Sequence, residues 1–443
     1  MKLPLQGTRV LELTHVWSGP LCGQVLADLG AEVIRIESHE RLDIHRRGGP
    51  YPDKIAGINR SGTWNAQNRN KLGCTLDLKS AEGKSLFLEL VAKSDVVIEN
   101  FTPETMSRLG LGFEVLKQAN PHILLLSLSG YGHTGPLRKS LAYGPMMDAA
   151  TGLSSVTNYG DGIPRAVNGW AADVGGALYG SAALLRALHE TPRQARHLDI
   201  SQFEAGVMFV AGPLMDILNG SEPASAGLRM LAPTVGTEQW VALSARTLEE
   251  ITALFDLLAG RSATSGWIRR LHLEGATACA HAMQPLLEQW VALSAGTLEE
   301  ITSLFDLLAG RSARSGWIRR LHLEGATACA HTLQPLFEQW AAVRERPLAL
   351  AELATAGVPA VPISQLADLL DDSVLKEAGA WCHAVHAETG ATQSYGPAIR
   401  LQDGSGVRPD YPRAAPLFGG DNDYVFGSIL GLDAGKRERH DLK

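Results

Sequence analysis

One carboxylate stands in a segment made otherwise of glycine, alanine and apolar residues. Asp173 lies in NGWAADVGGALYGSAALLRAL, residues 168–188, and the small residues VGGA follow it. Small neighbours leave room around an acid, as a nucleophile that attacks a bulky thioester requires. Aspartate is also a favoured helix N-cap, and an apolar helical pattern comes next. The spacing alone therefore leaves two interpretations of Asp173 open, a helix cap and a nucleophile.

The first helix start is a second candidate site. Pro20 in Gly19-Pro20 suits a first helical turn, because its missing N–H has no intrahelical partner there. The free N–H groups of that turn could receive a phosphate or carboxylate, although an ordinary strand-to-helix turn explains the residues equally well. No GxGxxG follows the first strand, and no P-loop or GxSxG motif occurs, which argues against a dehydrogenase. His15 and His133 are isolated, so no Ser/His/Asp triad can be assigned.

Strand and helix patterns alternate through the first 130 residues. Apolar runs predict strands at Arg9–Leu13, 32–37, 74–78, 95–100 and 122–130, and helical spacing predicts helices through residues 21–29, 80–93 and 103–118. This order predicts an α/β fold whose large domain has a Rossmann-like parallel sheet. A nucleotide-like ligand is expected near the carboxyl ends of its strands.

A tandem repeat with a period of 50 residues occupies the middle of the chain. Residues 238–287 and 288–337 differ at six positions, and a capping box (TLEE) with a later glycine marks a helix in each copy. Two copies are fewer than a solenoid needs, so a segmental duplication is favoured. The peptide EQWVALSA follows a turn in one copy and a helical pattern in the other. We therefore expect one copy to occupy the position that a single copy would have in the domain. The other copy is expected to lie outside the domain as an added helical segment, a helical excursion.

Composition and charge exclude several classes of function. Net charge is -7, with 45% apolar and 20% charged residues, so a basic nucleic-acid surface is not expected. No transmembrane run or signal peptide is evident, and five scattered cysteines lack zinc spacing. These features predict a cytoplasmic protein without a membrane or nucleic-acid partner and without a metal site.

Several blocks in sequence order resemble the family III CoA-transferases, the CaiB/BaiF family. They include PLQGTRVLELTHVWSGPLCGQVLADLGAEVIRIE, NRNKLGCTLDLKSAEGKSLFLELV, DVVIENFTPETMSRLGLG, the pattern DxxxALYGSAALLRAL, LAELATAGVPAVPISQLADLLDD and APLFGGDNDYVFGSILGL. The resemblance covers nearly all the chain except one of the two repeat copies.

The resemblance implies a fold, an assembly and a reaction. It implies a large domain from residues 1–222, a small domain from 223–360 that contains the repeat, and a segment 361–443 that returns to the large domain. It implies an interlocked, ring-like homodimer. It also implies that Asp173 carries the acyl group as a mixed anhydride and then CoA as a thioester. Acyl-CoA and a carboxylic acid are then the substrates, and no other cofactor is implied.

Further site residues follow from the same resemblance. Those implied to contact CoA or the acyl group are Val16, Trp17, Ser18, Leu72, Asn100, Arg108 and Tyr143. Arginine suits bidentate phosphate binding. Two of these residues have simpler interpretations, because Asn100 could cap the turn after its strand and Arg108 could be a solvated helix residue.

Departures from the family pattern bear on the substrate and on rival functions. Formyl-CoA transferases have a glutamine where this chain has Trp17 and an arginine where it has Ser38, and their glycine-rich flap has no clear counterpart here. These departures argue against oxalate as a substrate and for a larger or more apolar acyl group.

The racemases of the same fold use a histidine where this chain has Tyr143. A phenol with an ordinary pKa near 10 is a poor base at neutral pH. A 2-methylacyl-CoA racemase and a non-catalytic acyl-CoA-binding protein are the alternatives.

Overall fold

The computed structural model describes most of the chain outside the repeat. The described residues are 3–157, 163–167, 169–220, 228–236, 238–245, 250, 253–254, 257–258, 334–335, 337–396 and 413–433. Contacts divide the chain into one unit of residues 1–212 and 373–443 and a second of 213–372. The sequence places the domain boundaries after residues 222 and 360 instead. Most of the repeat, and with it the predicted helical excursion, lies outside the described residues.

The first unit contains a six-stranded parallel sheet in the order β3-β2-β1-β4-β5-β6. Its strands are β1 Arg9–Leu13, β2 Glu32–Glu37, β3 Lys71–Thr75, β4 Val96–Glu99, β5 Leu124–Ser129 and β6 Arg196–Ser201. This is the strand order of a Rossmann fold, and the α/β prediction is confirmed. The sequence located β1 and β2 correctly because each has apolar residues around a single internal charge, in VLEL and VIRI, between a turn and a helix.

Helices cover both faces of this sheet. The first unit contains helices α1 Ser18–Asp28, α2 Ile44–Arg47, α3 Gly62–Gln67, α4 Ala81–Val91, α5 Thr105–Arg108, α6 Phe113–Ala119, α7 Gly144–Ala150, α8 Leu153–Val156, α9 Ala171–Leu188 and α10 Gln202–Val207, and α11 Ala211–Leu218 begins in it and continues into the second unit. Short 3₁₀ turns span Pro52–Lys54 and Met208–Val210.

Two apolar cores form on the two faces because side chains alternate along each strand. Val10 of β1 packs with apolar residues of α1 and α9, such as Leu26 and Leu184. Leu11 points to the opposite face and packs with residues of α4 and of the C-terminal π-helix Asp423–Ile429. Helix α9, which carries Asp173, is therefore anchored directly on the sheet.

The edge strand β3 differs from its prediction and is covered by the returning segment. The sequence predicts this strand at 74–78, but it spans Lys71–Thr75, because Asp77 already forms the turn that accepts the N–H of Ser80 before α4. Side chains replace a neighbouring strand at its edge: Asp421 accepts the N–H of Gly73 at 2.8 Å, and Asn422 accepts that of Thr75 at 2.9 Å. The edge of β3 is thereby paired.

A hairpin of β10 Trp381–His386 and β11 Gly390–Tyr395 belongs to the same unit.

The second unit has its own small antiparallel sheet. Strands β7 Leu228–Pro233, β8 Trp240–Ala245 and β9 Ala360–Ile363 pair in that order, with helices α12 Arg346–Thr355 and α13 Asp368–Asp371. Helix α14 Ser373–Glu377 follows in the first unit. The core of the second unit combines Leu254 and Leu258 of the first repeat copy with Phe337, the last residue of the second.

Candidate active site

Asp173 lies in the first turn of α9 and does not cap it. The helix begins at Ala171, and Trp170 occupies the N-cap position with a left-handed φ of 47° and no side-chain cap. The Asp173 side chain is 8% exposed. The helix-cap interpretation is therefore wrong, and the carboxylate is available for another purpose.

Two polar side chains from other elements meet at Asp173. Nε2 of Gln202 donates to Oδ1 of Asp173 at 2.9 Å and to Oγ of Ser18 at 2.5 Å. Gln202 begins α10 directly after β6, and Ser18 begins α1 after the loop that follows β1. All three residues are buried. The amide therefore fixes one carboxylate oxygen of Asp173.

The loop between β1 and α1 is held on both sides. Asn100, just after β4, accepts the N–H of His15 and donates to the His15 carbonyl, both at 2.7 Å. Val16 has a left-handed φ of 68°, unusual for a β-branched residue. Its N–H donates to Oδ2 of Asp43 at 3.0 Å. Such strain persists only where surrounding contacts impose it, and this loop adjoins Ser18 and hence Asp173.

A buried network of charged side chains stabilises the loop between β1 and α1. Arg35 donates to Glu12, Thr14 and Asp43, and Nζ of Lys71 lies 2.9 Å from Oε2 of Glu12. Lys71 also donates to the carbonyl of Pro20 at 2.8 Å. Burial lowers the pKa of Lys71 to about 8 despite the opposing charge of Glu12. The network connects strands β1, β2 and β3 to the start of α1 and so fixes the position of Ser18.

Aromatic rings pack at the start of α9, and a glycine lies against Asp173. Trp17 packs edge-on against Trp170, with ring centroids 4.5 Å apart, and against His45 at 6.0 Å. Gly144, the first residue of α7, lies so close to Asp173 that a Cβ there would be 2.3 Å from Oδ2. Oδ2, the carboxylate oxygen of Asp173 that does not accept from Gln202, therefore lies against residue 144. Any side chain larger than that of glycine would collide with Oδ2 at this position.

Burial makes Asp173 an unusual carboxylate. Burial, together with the charge of the nearby Asp148, raises the pKa of Asp173 to about 6, against the lowering effect of hydrogen bonds from Gln202 and Ser18. The first-turn position on α9 also favours the negative charge, but burial outweighs it. At neutral pH Asp173 is mostly ionised yet poorly solvated, which increases the reactivity of a carboxylate nucleophile.

The same burial predicts that replacing Asp173 stabilises the fold. In the unfolded chain the carboxyl ionises near its ordinary pKa of 3.8, whereas the folded protein resists ionisation until about pH 6. Stability is therefore lost as pH rises between these values, and above pH 6 the cost reaches about 3 kcal/mol, at about 1.4 kcal/mol for each pKa unit. We expect Asp173→Asn to unfold at higher urea concentration than the wild type at pH 7.5. The difference should shrink towards zero near pH 4.

Glu204→Gln, an exposed acid-to-amide change on α10, is the matched control for that measurement. An Asp173→Asn protein no more stable than the wild type at pH 7.5 would contradict the energetic cost assigned to this carboxylate.

The structure brings together some of the residues implied to form the site. Val16, Trp17, Ser18 and Asn100 lie in or against the loop that leads to Asp173. Tyr143 precedes Gly144, but its side chain is 55% exposed. Arg108 is exposed and bonds Thr105 within α5, and Leu72 lies inside β3 opposite Ile34, against the sheet core. No described contact connects Leu72, Arg108 or the Tyr143 side chain to Asp173.

Sequence reasoning missed Gln202, Asp43, Asp148 and Gly144. Each is a single residue at or near an element boundary, far from Asp173 or the loop in sequence, and no motif surrounds it. The charges of the network do leave a signal: Glu12 and Arg35 interrupt strands that are otherwise apolar. Parallel strands buried on both faces seldom carry charges.

Neither a metal site nor a membrane span is found where the chain is described. In those residues, no group of three or more His, Cys, Asp or Glu side chains could hold a metal ion. None of the described helices is long and apolar enough to cross a bilayer.

Comparison with known families decides the chain's membership. The profile described as CoA-transferase family III matches residues 5–268 and 269–422. The chain belongs to CoA-transferase family III. The resemblance inferred from the sequence blocks is thereby confirmed.

Curated relatives of the family are named as CoA-transferases. The chain is 40% identical over 206 residues to an acyl-CoA transferase of Fusarium pseudograminearum, covering 45% of each chain. It is 36% identical to the acetyl-CoA:oxalate CoA-transferase of Acetobacter aceti over 52% of this chain and 58% of that protein. It is 35% identical to the succinate–glutarate CoA-transferase of Agrobacterium fabrum over 50% and 56%. The match spans about half the length of these relatives.

Solved structures share the fold over most of the chain. A CAIB/BAIF family protein from Brucella suis is 25% identical, with a TM-score of 0.70, over 97% of this chain and 100% of that one. The protein Rv3272 of Mycobacterium tuberculosis, 23% identical over 95% and 98%, has a TM-score of 0.67 and shows likeness of fold alone.

Proposed function

We propose that this protein transfers CoA from an acyl-CoA to a carboxylic acid, with Asp173 as the covalent carrier. The observation that carries the proposal is the buried carboxylate of Asp173, with one oxygen held by Gln202 and the other facing Gly144. Family membership and the names of the curated relatives support the same reaction.

The proposed reaction has two symmetrical halves. Oδ2 of Asp173 attacks the donor thioester carbonyl, the C–S bond breaks, and a mixed anhydride and CoA thiolate form. The thiolate then attacks the aspartyl carbonyl, which releases the donor acid and leaves an aspartyl-CoA thioester. The acceptor carboxylate attacks that thioester to give a second anhydride, and the returning thiolate takes the acceptor acyl group and frees Asp173. Each step exchanges one acyl bond for another, so no redox cofactor or metal is required.

The residues around Asp173 have separate tasks in this scheme. Gln202 and Ser18 orient the carboxylate before attack, which removes part of the entropic barrier. The Trp17 and Trp170 rings shield the anhydride from water, which would hydrolyse it. The loop held by Asn100 and Asp43 positions the thioester end of CoA beside Asp173.

The acceptor in this proposal is a dicarboxylic acid or a larger, more apolar acid. The relatives' names include succinate–glutarate and succinyl-CoA–D-citramalate transferases, which supports a dicarboxylic substrate. Trp17, which packs against Trp170 at the start of α9, presents a more apolar surface than glutamine would, and the exclusion of oxalate inferred from it remains a prediction.

Mass spectrometry of the intact protein tests the proposal. The wild type is incubated with acetyl-CoA and succinyl-CoA, with and without glutarate, and any covalent species is mapped by digestion and hydroxylamine trapping. We expect a CoA-sized or acyl-sized adduct at Asp173, lost in Asp173→Asn. CoA binding without any adduct would overturn the proposal and favour an acyl-CoA-binding protein. Exchange of an α-proton in D₂O without transfer would favour a racemase.

The proposed enzyme is a cytoplasmic homodimer. Cys22 and Cys74 are free thiols, and burial raises the pKa of Cys22 to about 12, as suits a reducing compartment. Large apolar side chains are exposed along the segment 208–218, namely Met208, Phe209, Leu214, Met215, Ile217 and Leu218. Such a stretch is typical of a surface that a second copy covers. Light scattering of the purified protein would distinguish a dimer from a monomer.

A further inference from the structure

A second buried carboxylate lies beside Asp173. Asp148, in α7, is 1% exposed, and its Oδ1 accepts the N–H of Ala172, the residue before Asp173, at 3.1 Å. Its Oδ2 is also buried, and no described donor lies within hydrogen-bonding distance of it. An acid with an unpaired oxygen in a closed environment is costly, so its presence at this position calls for an explanation.

The charges that face this pair of acids are few. The groups acting on the Asp173 carboxyl are Asp148 of α7, Gln202 of α10 and Ser18 of α1, and none is cationic. Helix α8 presents no charged residue. Glu204 of α10 is exposed, and Arg186 of α9 is exposed and paired with Glu190. Among the described groups that act on the Asp173 carboxyl, no cation therefore offsets the negative charge of Asp148.

We propose that Asp148 is a positioning residue for the covalent carrier, which aligns Asp173 through the amino end of α9 and disfavours its free carboxylate relative to its acylated forms. The inference rests on the proposed function. The free carboxylate of Asp173 is negative and is repelled by Asp148. The anhydride and the thioester are neutral at the same atoms, so acylation relieves the repulsion.

Two consequences distinguish this role from simple packing. The repulsion acts only on the charged form of Asp173, so Asp148 delays its ionisation to a higher pH. It also shifts the equilibrium between free and acylated Asp173 towards the adduct. If Asp148 only accepted the N–H of Ala172, an uncharged acceptor of the same shape could replace it. Neither the pH at which Asp173 ionises nor the equilibrium fraction of adduct would then change.

Asp148→Asn is the decisive variant, because an amide oxygen still accepts the N–H of Ala172 while the negative charge is removed. Asp148→Ser provides a second uncharged acceptor should the asparagine variant fold poorly. The rate of adduct formation at Asp173 from succinyl-CoA is measured between pH 4.5 and 8, with the fraction of adduct at equilibrium. Glu204→Gln is the control.

We expect the midpoint of the pH profile to fall by about one unit in the Asp148 variants, as loss of a like charge predicts. The equilibrium fraction of adduct should fall as well, and neither quantity should change in Glu204→Gln. A wild-type midpoint retained in either folded Asp148 variant would overturn the role of Asp148 while leaving the transferase proposal intact. Absence of any adduct in the wild type would instead overturn the transferase proposal.

Discussion

Gly144→Ala is expected to reduce adduct formation at Asp173 by about 100-fold or more while leaving the fold intact. A Cβ at residue 144 would lie 2.3 Å from Oδ2 of Asp173 and 2.7 Å from Cβ of Trp170. No real contact is that short, so either the carboxylate or Trp170 must move. A displacement of about 1 Å at a reacting group costs on the order of 100-fold in rate. The measurement is the rate of adduct formation by mass spectrometry, with circular dichroism as the test of folding.

Gly48→Ala is the matched control for that variant. Gly48 follows α2 with an extended backbone (φ -112°), and the nearest atom to the position its Cβ would take is the carbonyl oxygen of Ile44, at an ordinary contact distance of 3.7 Å. Alanine fits this position without strain, so this protein should form the adduct at the wild-type rate. Normal adduct formation in a folded Gly144→Ala protein would show that the free side of Asp173 does not face Gly144 during the reaction.

Lys71→Met is expected to lower the free energy of unfolding by about 3 kcal/mol or more, enough to threaten folding altogether. The Lys71 side chain is fully buried and bonds Glu12, the Pro20 carbonyl and Oδ1 of Asn68. Its removal leaves Glu12 with Arg35 as its partner and leaves two buried acceptors without their donor. Breaking a buried pair by removing one member typically costs about 3–5 kcal/mol. Urea denaturation at pH 7 measures the loss.

Lys79→Met supplies the contrast for the buried lysine. Lys79 pairs with Glu40 at the surface, where both side chains are well exposed, so its loss should leave the urea midpoint almost unchanged. Equal midpoints for Lys71→Met and the wild type would mean that the buried network contributes little. The start of α1 would then be held by its other contacts.

The sheet could be predicted from the sequence because its strands are apolar runs that local patterning identifies. Strand β3 was misplaced because its first residue, Lys71, is charged, and only the network with Glu12 explains a lysine inside the sheet. The identity of Asp173 as a site residue came from family resemblance, since spacing alone favoured a helix cap. Trp170 takes that cap position in the structure.

The partners of Asp173 could not be predicted, for a physical reason. Gln202 and Asp148 approach it across the fold, from a strand end and from another helix, and neither lies within a motif. Leu72 and Arg108 are the reverse case. The family resemblance implied that they belong to the site, but no described contact joins them to Asp173. Their role in CoA binding stays a prediction.

The closure of β3 by Asp421 and Asn422 has a consequence for synthesis of the chain. The two hydrogen bonds join residues 348 and 347 positions apart in sequence. At roughly 5–20 residues per second, a ribosome needs on the order of 20–70 s to supply the second partner after the first. During that interval the nascent sheet presents an open edge, which is a template for pairing with other chains. The chain is therefore most exposed to edge-to-edge pairing at a defined stage of translation, and the returning segment ends that exposure when it docks.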